Sequence, residues 1–544
     1  MHTLDEVGRE ADTVRSEIEL LYVRGLGTST PADRRKLADL AAEWDRLGAA
    51  HVASKLTLAL QKADADAKDA ARALLSAYTS LHVFERVLSL EAAADAWTAH
   101  LEASRAEEGD ESDPGESPDG STVAPAPNKA SPPTDKPAAA PPIEDPTGTL
   151  QLVEELSRAV EDLVRTGLSS ASESTRAKLD ASFKEASRRK LLRLGASLRY
   201  VNEEVGRFLA DDGSFSIRRF AFFLHRSWMQ ARGLAKGIRE KDGKVLATLL
   251  MSGASPPRPI QWIDVVTLGV LKRTMANACT FDFRLRVVAA SEPDVVGRSL
   301  VYSLVFTRKA SLPAEAYLHL PQPQKFAPRI FTLGKVLKIT GCALMLDDRG
   351  GRLMMGPNTK VTEGVSFKDW RPLYGFDPAA LLERVQKARV GPLDLAVELQ
   401  EEVYLQGAEI GDAPSRESDG RRLYPLRTEG GLAVDVVIPS GTDGDDLLPR
   451  LKKGLKSRGA PLLYGLCYYE FGRILVMPLS IMQMSDPAKA EPEPAAPAAK
   501  GKAPKPKPPP KTAEEDALSN GAPALITLMQ KSFDMKELVG ALGL

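Results

Sequence analysis

Cysteine is scarce, with Cys279, Cys342 and Cys467 the only three in 544 residues. They lie far apart in apolar, strand-like contexts and lack the spacing of a disulfide framework or a zinc site. Buried free thiols in a reducing compartment are expected, and a disulfide-stapled secreted scaffold is excluded. Aromatic residues make up only 6%. No run approaches the roughly 18 apolar residues that span a bilayer; the best stretch, FAFFLHRSWM, is broken by charge. An excess of charge of one sign is missing too, since 72 basic against 73 acidic side chains leave −1, so net charge selects no partner. The N-terminus is acidic and amphipathic rather than basic and then apolar, so a cytoplasmic location without membrane attachment is expected.

Catalytic signatures are absent as well. There is no phosphate-binding loop, no nucleophile elbow and no dinucleotide fingerprint, and Gly25 and Gly27 read as helix terminators. The six histidines, His2, His51, His82, His100, His225 and His319, show no metal-ligand spacing. No catalytic, cofactor-binding or metal-binding residue is assigned.

What is present is organisation, and it predicts an α+β multidomain chain. Residues 1–102 carry apolar residues at a period near 3.6 and form a first helical module. Residues 103–148 turn acidic and then Pro/Ala-rich, the composition of a disordered linker. Residues 149–255 return to helical periodicity as a second, basic module. From 256 to 375 the period switches to two, with CTFDFRLRVVAA and RSLVYSLVFTRKA as a hairpin, so this is a β-rich domain. Residues 376–485 read as an α+β domain. It opens with a helix after Asp377-Pro378, and a second helix is expected through GPLDLAVELQEEVYLQG. A Pro/Ala/Lys linker at 486–512 leads to an amphipathic helix at 513–544.

The helical modules resemble one another. GLGTSTPADRRKL from Gly25 matches GLSSASESTRAKL from Gly167, and RLGAAHVASKL from Arg46 matches RLGASLRYV from Arg193 with a five-residue shift between. A duplicated helical-hairpin unit is therefore expected.

Four groups of residues invite a functional reading. Asp394, Glu398 and Glu402 fall at i, i+4, i+8 of the expected second helix, but without a Glu-x-x-His partner they read as a solvated face. Asp443, Asp445 and Asp446 read as a helix first turn rather than a calcium loop. Between Arg176 and Lys244 there are 17 Lys and Arg against 8 Asp and Glu; Arg188, Arg189, Lys190, Arg193, Arg199, Arg218 and Arg219 define a candidate basic face for an acidic protein surface, nucleic acid or the chain's own acidic linker. In the last segment Leu525, Leu528, Met529, Met535, Leu538 and Leu542 follow three- and four-residue steps and define a candidate docking stripe for a protein partner.

The Gly-Leu and Leu-Gly-Ala pattern of the helical modules, with LLYGLCYYEFGRILVMPLSI further on, resembles accessory proteins of bacterial gene clusters that contain SWIM zinc-finger proteins and MoxR-type AAA ATPases. The resemblance covers about a fifth of the chain, the SWIM Cys and His ligands are absent, and no site residue carries over. It implies an AAA ATPase as a partner in a bacterial conflict or stress system. The function expected is thus a non-enzymatic cytoplasmic scaffold or adaptor for protein partners. The alternatives are a nucleic-acid binder using the basic module and the β-rich domain, with Phe281, Phe283, Tyr302 and Phe306 as candidate stacking residues, and a hydrolase gathering Asp264, Asp282, Arg284 or Asp347.

Overall fold

In a computed structural model, the chain is a mixed α+β multidomain protein. The structure describes residues 4–63, 67–110, 143–213, 215–250, 257–274, 278–309, 312–332, 334–347, 350–367, 373, 376–388, 391, 393–394, 400–418, 421–428, 431–456, 461–470, 473–483 and 524–527. Most of the two linkers expected from composition lies outside these residues.

The N-terminal half is built from α1 (Leu4–Arg24), α2 (Pro31–Arg46), α3 (Ala50–Ala63), α4 (Ala67–Asp110), α5 (Pro146–Thr166), α6 (Glu173–Arg188), α7 (Leu192–Leu209), α8 (Ile217–Glu240) and α9 (Gly243–Leu250). Local chemistry sets their starts. Thr30 caps α2 in a reciprocal box with Asp33, with Pro31 in the first turn, and Ser172 forms the matching box with Thr175 at α6. Such a box satisfies two orphan N–H groups at once.

A constant offset of 142 residues aligns the starts of α1, α2 and α3 with those of α5, α6 and α7. The helices α1 and α5 are both 21 residues long, and α2 and α6 are both 16. Buried positions coincide: Val14 with Leu156, Ile18 with Val160, Glu19 with Glu161, Leu26 with Leu168 and Leu37 with Leu179. The offset holds through the next turn, where Gly48 (φ 83°) corresponds to Lys190 (φ 62°), both left-handed. The Arg46/Arg193 match expected from sequence is therefore out of register, because Gly195 lies inside α7 rather than at a helix end. Gly25 and Gly167 face each other where the two halves cross: a Cβ on Gly25 would sit 2.4 Å from the Thr166 oxygen, and one on Gly167 2.3 Å from the Arg24 carbonyl carbon.

The two helical modules do not stand apart. Val14, Ile18, Leu37, Leu56 and Leu74 share one apolar core with Val160, Val164, Val205, Phe220 and Leu224. Nor does residue 102 close a domain. The helix α4 runs for 44 residues, about 66 Å at 1.5 Å per residue. Its first half packs in the helical core through Leu74, Tyr78 and Leu81, and its second half places Ala93 and Trp97 in the core of the C-terminal sheet.

The β-rich domain is a closed barrel of β1 (Arg258–Thr274), β2 (Ala278–Ala290), β3 (Ser299–Thr307), β5 (Gly350–Ser366) and β4 (Lys335–Asp347), in that order, with β4 returning to β1. Only β3 and β5 run parallel. This is a five-stranded Greek-key barrel of the OB type. The C-terminal unit is a sheet in the order β6 (Glu401–Gln406), β11 (Leu462–Glu470), β12 (Arg473–Gln483), β10 (Ala433–Pro439), β9 (Arg421–Arg427) and β7 (Glu409–Ile410), with β8 (Arg416–Ser418) on β9 and β13 (Ala524–Thr527) on β12. The helices α10 (Pro378–Lys387), capped by Asp377, and α11 (Thr442–Leu455) cover it.

Two helix expectations are corrected here. Glu401–Gln406 is the strand β6, paired with β11 from Cys467 to Leu462. Alternation in Glu-Val-Tyr-Leu fits a pleated surface as well as a helix, and the neighbouring strand decides between them. In the final segment, Ala524–Thr527 is a strand rather than part of a helix, antiparallel to β12 with Leu525 opposite Met482; backbone pairing to an available edge overrides a short helical period. Leu528, Met529, Met535, Leu538 and Leu542 lie outside the described residues.

Candidate functional site

The seven residues of the expected basic face do not form one free cationic patch. Arg188 and Arg189 both donate to Glu185, at 2.6 and 2.7 Å, and Arg189 also reaches Asp145 at 2.9 Å. These hydrogen bonds hold the Glu185 carboxyl down at about 2. Lys190 pairs with Glu144, Arg193 donates to the Thr248 carbonyl at 3.0 Å, and Arg199 lies 3.8 Å from Glu203. Arg219 binds the buried Glu204, and Arg218 turns to Asp12 and Glu19. Glu185 and Glu203 pair Arg188, Arg189 and Arg199 from three or four positions away in their own helices, while the other partners arrive from α1, from α7, from the turn before α5 and from the end of α9, which counting charges along the sequence does not show.

Two buried glutamates organise the helical core, and neither was singled out from sequence. Glu19 accepts from Tyr78 Oη at 3.1 Å. Its 142-residue counterpart Glu161 accepts from Trp228 Nε1 at 3.0 Å, with Arg72 at 3.0 Å from its other oxygen. An acidic residue inside the apolar stripe of each helix was the available signal. Beside Glu19, Asp12 accepts from Arg15 at 3.0 Å and from Arg416 of β8 at 2.7 Å. Burial would push the Asp12 carboxyl up, but the Arg416 bond and the charges of Arg15 and Arg218 outweigh it and hold it below the usual range. This anchor ties α1 to the C-terminal sheet.

His82 and His225 meet at 5.5 Å between ring centroids at the α4–α8 junction, next to Tyr78 and Phe222. Desolvation, with the charges of Arg86 and Arg15, drives the His82 imidazole well below its ordinary 6.5. A base kept neutral in the fold but free to protonate when unfolded contributes stability that is complete above 6.5 and lost as pH falls below it. The helical core is therefore expected to melt at a lower temperature at pH 5.5 than at pH 7.5, and His82→Leu should flatten the slope. A wild-type melting temperature unchanged across that window would refute the assignment.

The barrel and the C-terminal sheet join along a second polar seam. Arg286 donates to Glu402 at 3.0 Å and to Tyr404 Oη at 2.8 Å, and Ser299 donates to Glu402 at 2.9 Å. Ser480 donates to the Leu268 carbonyl at 2.5 Å, and Gly269 leaves room for Leu479 and Tyr464, which a Cβ would meet at 2.7 and 3.0 Å. Glu402 thus belongs to an interface rather than to a helical carboxylate stripe. Asp394 accepts from the Gly391 N–H in a turn, and Glu398 lies outside the described residues.

The chemistry of the two alternatives is not assembled at these positions. Phe281, Phe283 and Tyr302 are buried inside the barrel and stack on one another, and Phe306 packs against that core, so none offers an outward platform for a base. Asp282 is bound by Arg273 and Ser303 on the outer face of β2. Asp264 lies seven positions from Leu271, the β1 partner of Asp282, which is about 23 Å along the strand; no cleft gathers them. The Asp347 side chain is outside the described set. The thiols of Cys279 and Cys342 are pushed up to about 11 and that of Cys467 to about 12 by burial, so they remain protonated. Among the described residues no group of three or more His, Cys, Asp or Glu is placed to hold a metal ion, and no helix is long and apolar enough to cross a membrane.

No protein-family model and no curated protein matches the chain. Among solved structures, a replication protein A heterotrimer bound to single-stranded DNA is similar at 12% identity and a TM-score of 0.21, over 42% of this chain and 51% of that one. A murine DNA-binding protein bound to double-stranded DNA is similar at 10% identity and 0.17, over 41% and 94%. A structure described as the molecular basis for abrogation of activation of pro-inflammatory cytokines is similar at 11% and 0.19, over 42% and 92%. Scores at this level decide neither fold nor ligand.

Proposed function

We propose that the chain is a non-enzymatic scaffold or adaptor that binds protein partners, and that a bacterial AAA ATPase of the MoxR type is one of them. The observation that supports this reading is how the helical core, the barrel and the sheet are joined. The helix α4 is shared by two hydrophobic cores, Asp12–Arg416 ties α1 to β8, Arg226 donates to the Leu393 carbonyl at 2.8 Å, and Arg286–Glu402 ties the barrel to the sheet. Polar side chains that could serve chemistry are spent instead on holding three units as one frame, which suits a body that presents surfaces. The 142-residue correspondence supports a further proposal, that the helical half arose by duplication of one unit. Cross-linking and co-purification of the full chain test the function: a stoichiometric protein partner is expected, and a preparation that retains only nucleic acid would reverse the reading.

The OB-type barrel favours nucleic-acid binding as a second reading, with Val305 and Met354 exposed on its outer face at 68% and 43%. The pairing of the basic residues argues against it. Only weak, sequence-indifferent affinity for labelled DNA or RNA is expected, vanishing near physiological salt, about 0.15 M. Submicromolar binding at that salt, abolished in the Arg188→Glu, Arg189→Glu variant, would favour the second reading.

A further inference from the structure

The strand β12 is covered unevenly along its length. On one side β11 pairs with it from Arg473 to Met482. On the other, β10 pairs only at Leu475 and Val476 before the chain turns away into α11. The edge from Ser480 to Gln483 would then be open, and the pairing with Ala524–Thr527 fills it. This edge lies in a slot. On one face α11 packs so closely that a Cβ on Gly454 would meet Ile481 at 2.3 Å. On the other face the barrel approaches, with Ser480 bonded to Leu268 and Met482 clustered with Val266, Leu268 and Leu271. The walls are aliphatic, and the resident segment, Ala-Leu-Ile-Thr, carries no charge.

The resident strand is short and lies far along the chain from its acceptor. It pairs over four residues, while positions 484–523, forty residues rich in Pro, Ala and Lys, separate it from the end of β12. A four-residue strand contributes few ladder hydrogen bonds, so a competitor that offers the same backbone ladder is able to replace it.

We propose that the β12 edge at Ser480–Gln483 is a strand-acceptor site for an extended, uncharged aliphatic segment of a protein partner, kept closed in cis by Ala524–Thr527. The site works by strand addition: main-chain hydrogen bonds supply the affinity, and the aliphatic walls select the segment. It deepens the adaptor reading and rests on it for the identity of the natural ligand.

The probe is a fluorescent peptide with the chain's own sequence, Gly521–Lys531, titrated by anisotropy. The full chain carrying Leu525→Pro with Ile526→Pro cannot form β13 and should bind the peptide at least tenfold more tightly than wild type. A full chain with Met482→Cys and Leu525→Cys, oxidised to lock the register pair, should bind none, and reduction of the same chain should restore binding. Circular dichroism confirms that both variants keep the folded body. Absence of binding to the proline variant, or equal binding to wild type and the locked chain, overturns the strand-acceptor site. If a stoichiometric partner still co-purifies in that case, the adaptor reading survives and uses another surface; if the peptide binds as expected but no partner co-purifies, the slot stands and the adaptor reading fails.

Discussion

Gly167→Ala should destabilise the helical core by roughly 3–5 kcal/mol, adding the cost of a glycine-only backbone region to that of overpacking against a neighbour unable to retreat. Gly167 adopts φ 85°, ψ 155°. Its new methyl would also meet backbone atoms of Arg24 and Gly25 at 2.3–2.5 Å. Gly25 at φ 94° makes the reciprocal contact, so Gly25→Ala should cost about the same. Gly48→Ala is the control. At φ 83° it has nothing within 4 Å of an added Cβ, and only the left-handed strain, about 1–2 kcal/mol, should register. Denaturant titration followed by helical circular dichroism reads all three. Equal losses for Gly48→Ala and Gly167→Ala would mean that the crossing is not the close backbone contact described.

The second large effect is expected at Trp97. It is fully buried near the far end of α4, among Leu381, Val385, Val403 and Leu405, with Phe376 at 5.9 Å between ring centroids. Trp97→Ala should cost about 3–5 kcal/mol, the range for emptying a large aromatic site. The loss should fall on the sheet. Amide exchange in β6 and β11 should accelerate while α1 and α5 keep their protection, because the first half of α4 has its own core. Trp44→Ala, in the helical core, should give the opposite pattern. If exchange rises equally in both regions, α4 does not join two separable cores.

Helix starts are legible where a short-range bond makes them: Asp377-Pro378 begins a helix as expected, and the boxes of Thr30 with Asp33 and Ser172 with Thr175 are bonds of the same local kind. The switch of period near 256 was equally plain, since alternation in CTFDFRLRVVAA puts Phe281 and Phe283 on one face whatever that face packs against. The same logic made the buried thiols readable. The Gly25 and Gly167 repeats were visible as letters, yet the register further on was not. A left-handed turn accepts either Gly48 or Lys190, so chemical identity is a poor guide to equivalence there.

What the sequence determined by itself is therefore local: where helices start, where strands alternate, and which residues avoid water. Tertiary structure alone decided the rest. Glu401–Gln406 and Ala524–Thr527 became strands because an edge with unpaired backbone groups stood beside each, and a short apolar stretch takes the partner available. Among the basic residues, Lys190, Arg189, Arg218 and Arg219 are paired by Glu144, Asp145, Asp12 and Glu204 from other elements, and opposite charges brought together in space need not be near in sequence. Glu19 and Glu161, Asp12 and Arg416, and Arg286 and Glu402 acquired their roles in the same way. A buried charge is tolerable only where the fold supplies its counter-ion or donor, and that supply comes from residues up to 404 positions away, a separation over which no local pattern in the chain carries information.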